Sequence, residues 1–130
     1  TEYFQALGDR TVNLPSLVPS FSPSILGGPY KRLGFQFTLP SDLNLIVALG
    51  YSDPIGGQTV SITATVNGFL DGSLSVNLSV PDFTGVAGWN DSWAPASGAS
   101  VEWSATGSGS TTSNPCADGR LVSSTRIGSS

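Results

Sequence analysis

Short runs of alternating apolar and polar residues fill the chain from residue 33 onward. A period of two is typical of β-strands with one buried face, and no window of helical length carries a sustained apolar stripe. The pattern predicts an all-β fold, a single β-sandwich of jelly-roll or Ig-like type with six to seven strands. Strand order does not follow from it. The alternating runs are 33–39, 59–66, 73–80, 101–106 and 121–127, whereas 43–49 is almost continuously apolar, as expected for a strand buried on both faces or a short interface strand.

The runs 59–66 and 73–80 are the most regular, and each has one aliphatic face and one face of Ser, Thr or Asn. Asn67–Gly68 and Asp71–Gly72 lie between them, and both dipeptides favour tight hairpin turns. We therefore expect the two runs to pair as a hairpin. Neither hydroxyl face carries a charge, although charges normally keep exposed sheets apart. Such a face tolerates close approach by another surface.

Residues 1–30 form a separate segment, here called the N-terminal arm, and residues 31–130 form the predicted sandwich domain. Prolines recur through the arm, which excludes a helix or a central strand. The arm is also rich in apolar residues, so we expect it to lie extended against its own domain or a neighbouring subunit. The side chains predicted to make assembly contacts are Tyr3, Phe4, Leu7, Val12, Leu14, Leu17 and Phe21.

Charge and cysteine content narrow the classes of partner. Only 11% of residues are charged and the net charge is −4, which argues against nucleic acid because phosphate binding requires basic patches. The longest apolar run is too short to cross a bilayer, so no membrane insertion is expected. Cys116 is the one cysteine, so the chain cannot form an internal disulfide, and folding in a reducing compartment is favoured.

Catalysis and metal binding have little support in the sequence. There is no histidine, which removes the commonest general base and the commonest transition-metal ligand. Carboxylate-pair chemistry would need Asp82, Asp91 or Glu102, and calcium would need Asp53, Asp91 or Asp118. Their spacing fits turns and strand edges instead. The expectation is a non-enzyme with no cofactor and no metal.

Two tryptophans interrupt a Gly/Pro-rich loop at residues 82–98, here called the tryptophan loop. Trp89, Asn90, Asp91 and Trp93 could stack on and hydrogen-bond a sugar, or they could cover one end of the sandwich or anchor a protein interface. Trp103 lies on a predicted strand and is expected in the core. The triplets beginning at Asn77 and Asn90 match glycosylation acceptors, although such triplets arise easily by chance in a Ser/Thr-rich chain.

Three functions fit these features. The first is a virion-surface decoration or cement protein that uses its N-terminal arm to contact copies of itself or a capsid shell protein. The second is a subunit of an extracellular, cell-surface filament in which the arm adds a strand to the next subunit. The third is a carbohydrate-binding module. The single cysteine favours the first, and Thr1 fits removal of an initiator methionine; a sugar-binding domain needs no arm.

Overall fold

The computed structural model describes residues 2–3, 14, 16–110 and 119–130, and this part of the chain is almost entirely β-structure. Its helical content is a single 3-10 turn, Asp91–Trp93, and no helix here is long and apolar enough to cross a membrane. The strands are β1 (Glu2–Tyr3), β2 (Ser24–Leu26), β3 (Arg32–Thr38), β4 (Ile46–Ser52), β5 (Thr59–Thr65), β6 (Ser75–Ser79), β7 (Glu102–Ser110) and β8 (Gly119–Ser129).

The strands form two antiparallel sheets, as expected for a β-sandwich. One has the order β8-β7-β4-β5, with the short β1 added at the outer edge of β8, and the other has the order β2-β3-β6. Strand β4 lies between β5 and β7 along its whole length, because each residue from Ile46 to Ser52 has a partner on both sides. This fixes the register of the larger sheet through its centre.

The core lies between the two sheets and explains the alternation in the sequence. Successive side chains of a strand point to opposite faces, so every second residue enters the core. Even in β4, whose sequence does not alternate, Val47, Leu49 and Tyr51 are buried and the residues between them, on the other face, are less buried. The other buried strand residues include Leu33, Phe35, Phe37, Ala64, Val76, Leu78, Trp103, Ala105 and Val122.

The predicted hairpin of residues 59–66 and 73–80 is wrong, because β5 and β6 belong to different sheets. The connection between them makes two turns, and Asp71 and Gly72 both have a positive φ. It crosses from the larger sheet to the smaller one, and the two sheets of a sandwich lie about 10 Å apart. Alternation reveals the buried face of each strand, but it leaves the neighbouring strand undetermined.

Strand β7 continues to Ser110, beyond the run 101–106 that alternation predicted. Residues 111–118 lie outside the described residues. Gly107 and Gly109 make this extension fit, because the segment 39–43 packs directly on the backbone of β7. A Cβ at Gly109 would fall on the carbonyl oxygen of Asp42. These two glycines therefore allow another segment to pack closely on the strand.

The described part of the N-terminal arm packs in cis. Val18 is fully buried, its N–H donates to Ser124 Oγ at 3.0 Å, and its carbonyl accepts from Arg126 Nε at 3.0 Å. Residues 24–26 then form the edge strand β2 against β3. The prediction that the arm avoids helices and central strands holds for the described arm residues.

Candidate assembly surfaces

The outer face of the larger sheet is formed by the outward-pointing residues of β4, β5, β7 and β8. Cross-strand rows run Ser61–Gly50–Ser104–Ile127 and Thr63–Ala48–Thr106–Thr125. Nearly all side chains in these rows are hydroxyls, methyls or hydrogens. Among the outward side chains that the structure describes, Glu102 is the one charge, and it lies at the end of β7.

The outer face is concave. Gly50 and Ala48 lie on the central strand β4, whereas the flanking strands carry larger outward side chains, the threonines of β5 and Ile127 of β8. Small central residues and larger flanking ones leave a shallow groove of about 680 Å³ across the sheet. Such a surface offers close backbone approach and many weak hydrogen-bonding groups, but no charged or aromatic group at its centre to bind a polar ligand strongly.

The assembly residues predicted in the arm separate into three groups. Phe21 is partly buried and packs against the core of its own sandwich, with its ring centroid 4.5 Å from that of Phe37 and 5.0 Å from that of Trp103. Phe21 thus contacts its own core, and its contact with a neighbouring subunit stays a prediction. Leu14 and Leu17 are 90% and 73% exposed and remain available for intermolecular contact.

The other predicted arm residues have no described side chains. Phe4, Leu7 and Val12 lie outside the described residues, and Tyr3 is described by its backbone alone. Tyr3 pairs with Gly119 and Glu2 pairs with Arg120, so the start of the arm forms a strand on the edge of β8. The arm thus meets the larger sheet at β1, the core at residues 18–21 and the smaller sheet at β2.

The tryptophan loop forms an aromatic cluster at one end of the sandwich. Trp89 is its centre, with ring centroids 5.4 Å from buried Tyr30, 5.0 Å from Phe83 and 5.7 Å from Trp93. The Tyr30 hydroxyl accepts from Phe83 N–H at 2.7 Å, which fixes the start of the loop. Trp93 meets Trp89 edge-on and stays 60% exposed.

The polar groups of this cluster bond one another. Trp89 Nε1 donates to Asp91 Oδ1 at 2.9 Å. Asn90 Oδ1 accepts from both the N–H and the hydroxyl of Ser92, and it caps the 3-10 turn. These contacts hold the loop in shape, as expected if it covers one end of the sandwich. Trp103, as expected, is a core residue.

The three acidic residues considered for catalysis differ in their positions and contacts. Asp82 accepts from the hydroxyl and N–H of Thr84 and pairs with Arg32 at 3.0 Å, and these contacts hold its pKa below the usual value. Asp91 binds Trp89, and Glu102 lies on the outer face. No group of three or more potential metal-binding side chains occurs in the described ranges, and Asp118, named as a calcium candidate, lies outside them.

A buried polar contact joins the two sheets. The Tyr51 hydroxyl on β4 donates to the carbonyl of Lys31 at 2.9 Å, and burial raises the pKa of Tyr51 to about 12. Lys31 is itself buried, and its Nζ donates to the carbonyls of Ala99 at 2.8 Å and Ser130 at 3.3 Å. Nothing in the sequence indicated a buried Lys31, since a lysine beside an arginine is normally solvated.

Comparison with known proteins returned no match: no family model, no curated protein and no solved structure matches this chain. No family is therefore assigned. The fold and the surfaces described above are the features that bear on function.

Proposed function

We propose that this chain is a non-enzymatic structural subunit that assembles with copies of itself. The observation that carries the proposal is the outer face of the larger sheet, a concave surface whose described side chains include one charge, at its margin. Exposed sheets normally carry charges that oppose association. A face of Ser, Thr, Ala and Gly instead lets another surface approach closely and hydrogen-bond without removing charges from water.

The exposed leucines of the N-terminal arm support the same function. Leu14 and Leu17 precede the buried Val18, so the arm is fixed to its own sandwich at Val18 while these apolar side chains point outward. An anchored segment with exposed leucines can contact a neighbour without losing the entropy of a free tail. We propose that the partner is another copy or a capsid shell protein.

We further propose an Ig-like arrangement in preference to a jelly roll. If β2 to β8 are lettered A, B, C, C′, E, F and G in chain order, the two sheets are A-B-E and C′-C-F-G. That division supports an Ig-like sandwich, in which strands A, B and E share one sheet and C, F and G the other. The setting we favour is a virion surface, where such a domain would decorate or cement a shell.

A filament is the second candidate, and the pairing of β1 with β8 favours it. The start of the arm already adds a strand at this edge within one chain. The same edge could accept the arm of a neighbour, and repetition of that exchange would give an open polymer. Because β8 is supplied by the chain itself, the donated strand would extend the sheet and would not complete it.

Electron microscopy of the native source, with an antibody against the chain, tests the setting. If the chain is a virion component, the antibody should label regular positions on globular particles. Labelling along fibres would instead support the filament. Light scattering of the purified chain over a wide concentration range tests self-assembly itself. A monomer at every concentration that also binds no particle from the source would refute the proposal. If the wild type bound glycans on an array and Trp93→Ala did not, sugar binding would replace the structural function.

A further inference from the structure

We infer that the free edge of β5 is a self-association site, at which β5 of one copy pairs antiparallel with β5 of a second copy. The two larger sheets would then join into one continuous sheet across a two-fold axis at Ile62. This inference rests on the proposed function and deepens it: the β5 edge would join two copies into a dimer, whose outer faces remain free for further assembly contacts. It draws on the hydrogen bonding, the composition and the internal symmetry of β5.

The backbone groups of alternate β5 residues point away from β4. Val66 N–H donates to Leu45 carbonyl at 2.9 Å, and these residues are opposite each other in the register. Hydrogen-bonded and non-hydrogen-bonded pairs alternate along an antiparallel ladder. Even-numbered residues of β5 therefore bond to β4, and the N–H and C=O groups of Thr59, Ser61 and Thr63 face outward. Within the described part of the chain, no strand pairs with this edge.

Strand β5 lacks the usual protection of an edge. Its seven residues, TVSITAT, include no charge and no proline, and its register with β4 is continuous, without a bulge. Proteins that remain monomeric commonly protect such an edge with lysine, proline or a bulge. The nearest acids, Asp53 and Asp71, lie in turns beyond its two ends. The unprotected edge is therefore suited to strand addition.

The sequence of β5 is nearly symmetric about Ile62, which selects a second copy as the occupant. Antiparallel pairing centred there places Thr59 opposite Thr65 and Ser61 opposite Thr63 on the outer face. On the inner face Val60 meets Ala64, and Ile62 meets its own copy. Thr–Thr and aliphatic pairs of this kind stabilise sheets. The same register makes Ser61 and Thr63 a hydrogen-bonded pair, in agreement with their outward backbone groups.

The edge of β6 is the competing site, and it is less suitable. It has five residues, and the N–H of Ser75 already bonds the hydroxyl of Ser73 at 3.1 Å. The longer β5 offers more unpaired backbone groups. Asn77 at the centre of β6 has an outward N–H by the same alternation, because Val80 N–H bonds Leu33 carbonyl. It therefore provides a matched control.

The first test compares three variants by analytical ultracentrifugation. Thr63→Pro removes an outward N–H without breaking the ladder to β4, Asn77→Pro does the same on β6, and Thr106→Lys places a charge on the outer face. We expect Thr63→Pro to weaken dimerisation at least about tenfold, while the other two retain it. Dimer loss in Asn77→Pro or Thr106→Lys alone would overturn the β5 interface but leave self-assembly intact. A wild-type chain that never associates with itself would overturn the β5 interface, and if it also bound no particle from the source it would overturn the proposed function.

The second test needs no proline in a strand. In a Cys116→Ser background, Ile62→Cys places two thiols opposite each other in a non-hydrogen-bonded pair, where Cα atoms lie about 4.5 Å apart and a disulfide fits. Val60→Cys is the control, because its copies would lie about 13 Å apart at 3.3 Å per residue. Rapid oxidation to a covalent dimer in Ile62→Cys alone supports the register. Equal rates in both variants would overturn it.

Discussion

Phe21→Ala tests whether the N-terminal arm is part of the folded sandwich. The ring of Phe21 stacks on Phe37 at 4.5 Å, tilts against Trp103 at 5.0 Å and meets Phe35 edge-on at 6.3 Å. Removing a fully buried Phe costs about 3–5 kcal/mol. Because Phe21 is only half-buried, the expected loss in the free energy of unfolding is about 2–3 kcal/mol, including its aromatic contacts.

Thermal and urea unfolding of the purified chain would measure this loss. For a domain of this size, we expect the Tm to fall by roughly 10 °C. Leu17→Ala is the control, since Leu17 lies in the same segment but is 73% exposed. Its effect should stay within about 0.5 kcal/mol, the usual range for exposed positions.

Two results would refute the reasoning. If Phe21→Ala and Leu17→Ala had equal, small effects, Phe21 would not be packed in the core. If the wild-type Tm rose steeply with protein concentration and Phe21→Ala abolished that rise, the ring would be supplied by a neighbouring copy, because stability that depends on association varies with concentration.

Three further predictions concern other parts of the sandwich. Gly109→Ala should destabilise the fold by about 1–3 kcal/mol in urea unfolding, because the new methyl falls on the backbone of residue 42, while Gly98→Ala, with open space around it, should be neutral. The pKa of Tyr51 is raised from 10.0 to about 12, so the folded state holds its proton more tightly than the unfolded state does. The free energy of unfolding of the wild type should therefore fall as the pH rises from about 10 to about 12, and that of Tyr51→Phe should fall less steeply. Trp93→Ala should change the unfolding free energy by less than about 1 kcal/mol, since the ring is 60% exposed, and a larger loss in urea unfolding would show that the tryptophan loop depends on it.

The sequence was sufficient to predict the β-sandwich, because alternation directly reports which side of each strand meets the core. It also placed Trp103 in that core. Which strands pair with each other could not be predicted in the same way, as β5 and β6 show, because they lie in different sheets. Their two turn dipeptides are equally compatible with a hairpin and with a crossing between layers. The choice depends on contacts with β4 and β3, which are distant in the chain.

The assembly surfaces could be predicted only in part. The hydroxyl face of residues 59–65 was visible in the sequence, and it forms one margin of the outer face. The central floor, with Gly50 and Ala48 beside Ser104, could not be anticipated because it depends on which strands become neighbours. The cis packing of Phe21 was similarly hidden, since an aromatic residue between prolines suits an inward or an outward position equally well.

The position of β4 between β5 and β7 has a consequence for how the chain folds. During synthesis β4 can pair early with β5, but its second neighbour is not made until residues 102–110. Contacts between distant parts of a chain form slowly because a long loop must close first. Until then the half-built sheet exposes an apolar and almost uncharged edge, which favours aggregation of the nascent chain. We therefore expect the yield of folded protein to rise when translation is slowed by low temperature.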